Sequence, residues 1–217
     1  MDKTMYGIIK TTAICPIMVA PDPDFAADAA KAIAEGGLPV CEVLLHRDEH
    51  SVTRIKNIAK NAPEVIVGAG TVISLRDAQE ALDAGAKFCV APGFVPEVVE
   101  FCLKNNLSIL PGCTTASEIS MALNYGINIL KFFPVYQMGG VDTLSQYYYG
   151  PFGKVEWVVT GGLNGKNYLD LVTFNSVLAA GGDWMFAENN AINDKNYDAI
   201  VENMRRTIKD SLAARAK

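Results

Sequence analysis

Short apolar runs alternate with amphipathic segments along the whole chain, and few folds are compatible with this pattern. Eight apolar runs recur, at positions 13–20, 40–46, 65–72, 87–94, 107–114, 129–135, 155–162 and 176–182. They are hydrophobic throughout instead of alternating, which is typical of parallel strands covered on both faces. The segments between them, such as 25–37, 51–60, 75–86, 96–106 and 116–126, carry apolar residues every three or four positions, as on the buried face of a helix.

This strand-and-helix repetition predicts an α/β protein, a single (β/α)8 TIM barrel formed by residues 1–217 as one domain. An N-terminal helical segment, a C-terminal helix over 197–217 and a polar loop over 184–196 complete the prediction. The main alternative is an open doubly wound sheet, which has the same local pattern. The chain is shorter than the roughly 250 residues of a typical barrel, but half of its residues are hydrophobic, which is enough for a large core.

Charge and cysteine usage exclude several classes of protein. The chain has 24 acidic and 19 basic residues and no basic stripe, so we expect no nucleic-acid partner. No apolar run reaches the roughly 18 residues of a membrane span, and the first ten residues do not resemble a secretory signal. Five scattered cysteines without a CxxC pair, and only two histidines, indicate buried thiols in a reducing cytoplasm, with neither a metal site nor a disulfide framework.

Lys131 is the residue that most needs a chemical explanation, because it lies in the apolar run 129–134. An ammonium group buried without a partner is very unfavourable. One interpretation is that burial favours the neutral amine, which can attack a ketone and form an imine. The alternative is a structural lysine that reaches the rim of the barrel or pairs with an acid. The residues alone leave both interpretations open.

Glu42 presents the same problem in the middle of the run 40–46. Burial raises the pKa of such a carboxyl unless a positive charge lies near it. Because two buried charged groups on separate strands can each account for the other's burial, we interpret Glu42 as a general acid/base that faces Lys131 across the barrel. The alternative is a salt-bridged core acid.

The glycines form two groups. Those in 68–71, with Pro92 and Gly93, are interpreted as places where the backbone approaches a ligand closely. Gly161-Gly162 and Gly181-Gly182 end the last two apolar runs, where barrels frequently bind phosphate through backbone N–H groups. Tight turns without a binding role are the alternative in both groups.

Taken together, these motifs resemble the KDPG/KHG aldolase family, which cleaves 2-keto-3-deoxy-6-phosphogluconate and 4-hydroxy-2-oxoglutarate. The most specific motifs are the stretches 66–72, 131–134 followed by Gly139-Gly140, and 160–162. The resemblance extends from Cys15 to the terminal helix. It implies a homotrimer of barrels and a class I lyase that needs no metal or other cofactor and releases pyruvate and an aldehyde from a small 2-oxo acid.

The resemblance also assigns roles to individual residues. It implies that Lys131 is the Schiff-base lysine and Glu42 the acid that shuttles protons. Thr71 holds the carboxylate of the pyruvate portion, and Pro92 and Phe133 line the pocket.

At the other end of the substrate, the resemblance places Thr160 close to the reacting carbons. It implies that the backbone of Gly161, Gly162 and Gly182 surrounds a distal phosphate.

The first departure from the family pattern is at the position four residues after Glu42, where the family has an arginine that holds the substrate carboxylate. This chain has His46 there, followed by Arg47. Either His46 acquires a charge when substrate binds, or Arg47 enters the site, or the substrate differs at this end. Adjacent residues of a strand face opposite ways, which argues against Arg47 as a simple replacement.

The second departure is Asp183, at a position where the family often has serine. A helix-capping aspartate is one interpretation, and it would occupy the N–H groups that a phosphate needs. The other is a substrate whose distal end is hydroxylated or amino-bearing instead of phosphorylated, because a carboxylate repels a phosphate at short range.

Two functions remain as alternatives to the aldolase. A phosphate-binding barrel isomerase or epimerase would explain the glycines but gives Lys131 no covalent role. A non-catalytic relative that binds 2-oxo acids is compatible with the changes at His46 and Asp183.

Overall fold

Eight parallel strands and their connecting helices make up the computed structural model, which describes residues 4–216. The strands are β1 (Ile14–Met18), β2 (Val40–Leu44), β3 (Ile66–Gly70), β4 (Phe88–Val90), β5 (Ser108–Leu110), β6 (Ile129–Phe132), β7 (Glu156–Thr160) and β8 (Val177–Gly182). The helices are α1 (Met5–Thr12), α2 (Ala26–Glu35), α3 (Ser51–Asn61), α4 (Leu75–Asp83), α5 (Pro96–Lys104), α6 (Ala116–Asn124), α7 (Gly140–Tyr149), α8 (Leu169–Val172), α9 (Trp184–Ala187) and α10 (Tyr197–Arg215), with a 3-10 helix at Glu188–Asn190.

The strands form a barrel because the sheet curves until its two ends meet. Their order is β5-β4-β3-β2-β1-β8-β7-β6, so β8 pairs with β1. The barrel closes between β5 and β6 through a parallel bridge that pairs Gly112 with Lys131. In this bridge the Lys131 N–H donates to the Pro111 carbonyl at 2.9 Å. The predicted (β/α)8 barrel is therefore confirmed, and the open doubly wound sheet is wrong.

Each of the eight apolar runs contains one strand, although the strands are shorter than the runs. The run 40–46, for example, contributes only Val40–Leu44, and its last residues belong to the loop at the barrel mouth. The largest difference lies in 184–196, expected to be a loop. Three bulky apolar side chains in this polar segment, Trp184, Met185 and Phe186, are buried and form α9.

Local signals start several of the helices. The Ser74 side chain accepts the Asp77 N–H at the start of α4, and Pro96 occupies the first turn of α5. A capping box joins Thr115 and Glu118 at the start of α6. These short-range contacts set where each helix begins after its strand.

The first helix and the carboxyl end of the last helix contact the strands away from the mouth of the barrel. The Tyr6 hydroxyl in α1 donates to the Ile109 carbonyl at 2.6 Å. Arg215, near the end of α10, donates to the carbonyls of Val177 and Leu178 at 2.6 and 2.8 Å. Both terminal helices were predicted. The candidate catalytic residues lie at the opposite end of the barrel.

Within residues 4–216, no helix combines the length and the apolar character needed to cross a membrane. All five cysteines are buried free thiols, as predicted.

Candidate active site

A cavity of about 310 Å³ opens at the carboxyl ends of the strands. Its lining comes from seven of the eight strand ends and comprises Ile17, Val19, Leu44, Arg47, Thr71, Pro92, Lys131, Phe133, Thr160, Gly161, Gly162, Leu163, Gly181, Gly182 and Asp183. A larger cavity of about 520 Å³ lies beside it, between the loop after β7 and helix α10. We assign the site to the smaller cavity because the Lys131 side chain lines it.

The structure directs the side chain of Lys131 from β6 into this cavity. Only 5% of the residue is exposed, and Nζ lies 5.2 Å from the centre of the Phe133 ring. No acidic side chain within residues 4–216 comes within 4 Å of the amine. The backbone on both sides of the lysine is fixed, since its N–H and C=O bond to Pro111 and Cys113. The structural alternative of an ion-paired lysine is therefore wrong.

Glu42 lies in β2, beneath the cavity, and is 1% exposed. Burial raises the pKa of its carboxyl above the ordinary value, and the positive charge of Lys131 only partly offsets this effect. Its Oε1 has no hydrogen-bond partner in the described part of the chain. Glu42 is thus a buried acid within electrostatic reach of the amine, with an acceptor left unused.

Two glycines in 68–71 make room for protein side chains, not for a ligand. A Cβ atom at Gly70 would collide with Oε1 of Glu42, and one at Gly68 would collide with the Phe88 ring. Our interpretation of these two as points of close ligand approach is wrong. The adjacent Thr71 does line the cavity, and its backbone has φ 61°.

Arg47 lines the cavity, whereas His46 does not. Strand β2 ends at Leu44, and His46 then takes φ 59°, so the strand alternation no longer decides which way Arg47 faces. The His46 Nε2 lies 3.1 Å from Oδ1 of Asp77. Arg47 forms no ion pair or side-chain hydrogen bond with any residue in the range 4–216. The expectation that Arg47 faces away from the site is therefore wrong.

Asp77 explains why His46 turns away from the cavity. The burial of Asp77 favours its protonated form, but hydrogen bonds from the Ile73 N–H, His46 and Ser74 outweigh burial and lower the pKa of the carboxyl. The resulting carboxylate is 6% exposed at its side chain and holds the imidazole. The contact joins the loop after β2 to the first turn of α4, so the residues next to His46 in the sequence do not predict it.

Thr160, at the end of β7, is 3% exposed and lines the cavity. Its hydroxyl has no hydrogen-bond partner among the described residues. Gly161 follows with φ 103°, and a Cβ there would lie 2.9 Å from the Cα of Pro134, so only glycine suits this turn. An unpartnered hydroxyl beside the cavity is typical of a group kept for a ligand.

We expect Thr160→Val to stabilise the protein while it impairs activity. Valine keeps the shape but removes the unpartnered hydroxyl, so the free energy of unfolding should rise by about 1 kcal/mol. If that hydroxyl acts on substrate, kcat/KM should fall about ten-fold. Urea unfolding and steady-state kinetics measure both effects, with Thr53→Val on the exposed face of α3 as control. A gain in stability without loss of activity would show that the hydroxyl has no part in the reaction.

Asp183 follows β8 and lines the cavity. It precedes α9, yet its side chain accepts no hydrogen bond from the N–H groups of that helix. The helix-capping interpretation of Asp183 is therefore wrong.

Four lining residues, Ile17, Val19, Leu44 and Leu163, were not among the residues predicted for the site. The first two come from the end of β1, which belongs to the mouth like every other strand end and could have been included on that ground. Leu163 lies one residue beyond the predicted strand end and carries no comparable signal.

The cavity thus combines an amine, a nearby buried carboxyl and a hydroxyl. These groups suit imine formation and proton transfer. Within residues 4–216 no three His, Cys, Asp or Glu side chains come together as a metal-binding group.

Comparison with known proteins gives consistent matches. The family model for KDPG and KHG aldolase matches residues 5–203. The KHG/KDPG aldolase of Escherichia coli (strain K12) is 37% identical over 202 residues, 93% of each chain. The crystal structure of KDPG aldolase from Legionella pneumophila, with pyruvate captured as a covalent carbinolamine intermediate, has 30% identity and TM-score 0.86, covering 94% of this chain and 98% of that one. A Zymomonas mobilis KDPG aldolase structure with 3-phosphoglycerate has 26% identity and TM-score 0.84, with coverages of 94% and 95%.

Proposed function

The chain belongs to the KDPG and KHG aldolase family, and from this premise we propose that it acts as a class I, metal-independent aldolase. In this proposal it cleaves a 2-keto-3-deoxy sugar acid or a 4-hydroxy-2-oxo acid to pyruvate and an aldehyde. The observation that carries the proposal is the buried Lys131 amine, which lines the cavity without an acidic partner within 4 Å in the described chain. An isomerase or epimerase would leave this amine without a role.

The first step is imine formation. The neutral Lys131 amine adds to the C2 ketone of the substrate, and the tetrahedral carbinolamine then loses its hydroxyl group as water. Glu42, acting through a water molecule, supplies the proton that this leaving hydroxyl needs. The raised pKa of Glu42 suits the role, because it keeps a larger fraction of the carboxyl protonated near neutral pH.

The second step breaks the C3–C4 bond. Glu42, now ionised, takes the proton of the C4 hydroxyl, and the C4–O electron pair becomes the carbonyl of the departing aldehyde. The electron pair of the broken bond moves through C3 and C2 to the iminium nitrogen and gives an enamine. A proton returns to C3, and one water molecule hydrolyses the imine to pyruvate and the free amine.

We propose that Arg47 and Thr71 hold the substrate carboxylate. Both line the cavity, and the guanidinium of Arg47 has no partner among residues 4–216, so it can form a two-point contact with a carboxylate. Pro92 and Phe133 line the wall between them and Lys131. In this proposal Thr160 acts near the reacting carbons, and the backbone of Gly161, Gly162 and Gly182 surrounds the distal end of the substrate.

Arg47→Met should raise the KM for the 2-oxo acid about ten-fold or more while kcat changes little, because it removes a contact present in both the ground and transition states. His46→Asn should change KM only about two-fold, since asparagine tolerates the positive φ at this position. Steady-state kinetics of both variants measure the difference, with the exposed Arg76→Met as control. A larger KM effect at His46 than at Arg47 would assign the carboxylate to the histidine.

Reduction with borohydride in the presence of pyruvate tests the proposed function directly. It converts the imine into a stable secondary amine, so the peptide that contains Lys131 should gain the mass of the reduced pyruvyl group. Absence of this adduct would favour a non-covalent function for the cavity. An adduct without cleavage of any 2-keto-3-deoxy acid would favour a relative that binds 2-oxo acids without turnover.

We further propose that the chain works in the cytoplasm as a homotrimer. Family membership supports this assembly. Exposed apolar side chains also support it, since Leu103, Met121 and Leu123 on α5 and α6 are 38–45% exposed and are available to a second copy.

A further inference from the structure

Asp183 lies where three cavities meet. It lines the active-site cavity, the larger cavity of about 520 Å³, and a side cavity of about 210 Å³ that it shares with Val19 and Arg47. The residue is exposed, and its side chain makes no helix-capping contact, ion pair or hydrogen bond within the described chain. Its carboxylate is therefore available to a molecule bound in the active site.

The charges around the active-site cavity are distributed unequally. Its charged lining residues are Lys131, Arg47 and Asp183. In the proposed function, Lys131 binds the ketone carbon and Arg47 the substrate carboxylate. The distal end of the substrate then lies beside β7 and β8, where the charged side chain of the lining is Asp183. Arg47 shares this cavity and the side cavity with Asp183, but the two form no ion pair within 4 Å, and in the proposed function the guanidinium is engaged by the substrate carboxylate.

The neighbouring cavity does not supply the missing positive charge. Two cations line it, Lys166 and Arg206, together with the acids Glu188 and Asp210. Arg206 is already ion-paired with Glu188. A phosphate at the distal end would therefore meet the Asp183 carboxylate without a surplus of cationic side chains to compensate for it.

We propose that the substrate of this aldolase ends in an uncharged, polyhydroxylated chain, not in a phosphate or a carboxylate. A phosphate dianion beside a carboxylate is repelled, and more strongly in a partly enclosed cavity than in water. Hydroxyl groups, in contrast, donate hydrogen bonds to a carboxylate, which has two acceptor oxygens. The inference rests on the proposed function of Lys131 and Glu42 and makes Asp183 the specificity-determining residue of the site.

The test compares three acids as substrates of the full-length enzyme. They are 2-keto-3-deoxygluconate and its 6-phosphate, each as both C4 epimers, and 4-hydroxy-2-oxoglutarate. We expect the unphosphorylated sugar acid to have a kcat/KM about ten-fold or more above those of the two acids that carry a second anionic group at the distal end. Asp183→Asn should shift the ratio of phosphorylated to unphosphorylated kcat/KM about ten-fold towards the phosphorylated acid. Asp142→Asn, the same change at an exposed residue outside the cavity, should leave the ratio unchanged.

Three results would overturn the inference. They are a higher kcat/KM of the natural enzyme for the phosphorylated acid, an unchanged ratio in Asp183→Asn, and no cleavage of the unphosphorylated acid. Borohydride trapping of pyruvate, which does not involve the distal end of the substrate, distinguishes failure of this inference from failure of the proposed function. With a pyruvate adduct on Lys131 only the distal specificity is wrong, and without one the aldolase proposal fails as well.

Discussion

Lys131→Met is expected to lower kcat by about 10⁴-fold or more, because the covalent route disappears together with the amine. Methionine matches the length of lysine, lacks a charge and is well tolerated in apolar surroundings. The variant should therefore fold, since Lys131 is flanked in β6 by the buried Leu130 and Phe132. The expected phenotype is a folded protein without turnover.

Pyruvate release and borohydride trapping measure this loss. The variant should release no pyruvate above background and gain no mass on reduction. Lys154→Met, at an exposed lysine before β7, should retain both activity and adduct. Turnover of the natural enzyme should also persist in excess chelator, as expected of a metal-independent mechanism. A pyruvate adduct on another lysine in the Lys131 variant would show that a different lysine is the reactive amine.

Glu42→Gln is expected to reduce kcat by about 10²–10⁴-fold, the usual contribution of a positioned acid/base. The amide has nearly the same shape as the carboxyl but does not exchange protons. Because the Lys131 amine is retained, pyruvate should still be trapped by borohydride after long incubation, although more slowly. A low kcat with slow trapping distinguishes loss of proton transfer from loss of the nucleophile. An unchanged kcat would show that Glu42 is not the catalytic acid/base.

The same substitution should change how stability depends on pH. Burial raises the pKa of Glu42 above its ordinary value of 4.5, so the folded protein favours the protonated carboxyl. The free energy of unfolding therefore declines as pH rises from 4.5 through the higher pKa of the folded protein. Glutamine does not ionise, so Glu42→Gln should be more stable than the natural protein at pH 8, by about 1 kcal/mol. The difference should vanish at pH 4 and below.

Urea unfolding at pH 4 and pH 8 measures this effect. Glu64→Gln, at an exposed glutamate, is the matched control and should show no pH-dependent gain. A Glu42→Gln variant that is less stable at pH 8 than at pH 4, relative to the natural protein, would mean that the attraction to Lys131 outweighs burial.

The barrel was predictable because its signal repeats. A parallel strand covered on both faces must be apolar along its whole length, and a covering helix must be apolar on one side. These requirements act on every unit, so they identified the eight strands and placed Lys131 and Glu42 in the interior. Helix α9 was not predicted, because its three buried residues are too few to show the periodicity of a helix.

The repeated apolar pattern is enough to identify the strands of the barrel and to place an amine and an acid in its interior. Long-range contacts set three other features of the site: Arg47 enters the cavity while His46 binds Asp77, Gly70 leaves space for the Glu42 carboxyl, and the Asp183 side chain makes no capping bond. The physical reason is that strand and helix periods depend on neighbours along the chain. Beyond a strand end, the direction of a side chain depends instead on contacts with residues distant in the sequence.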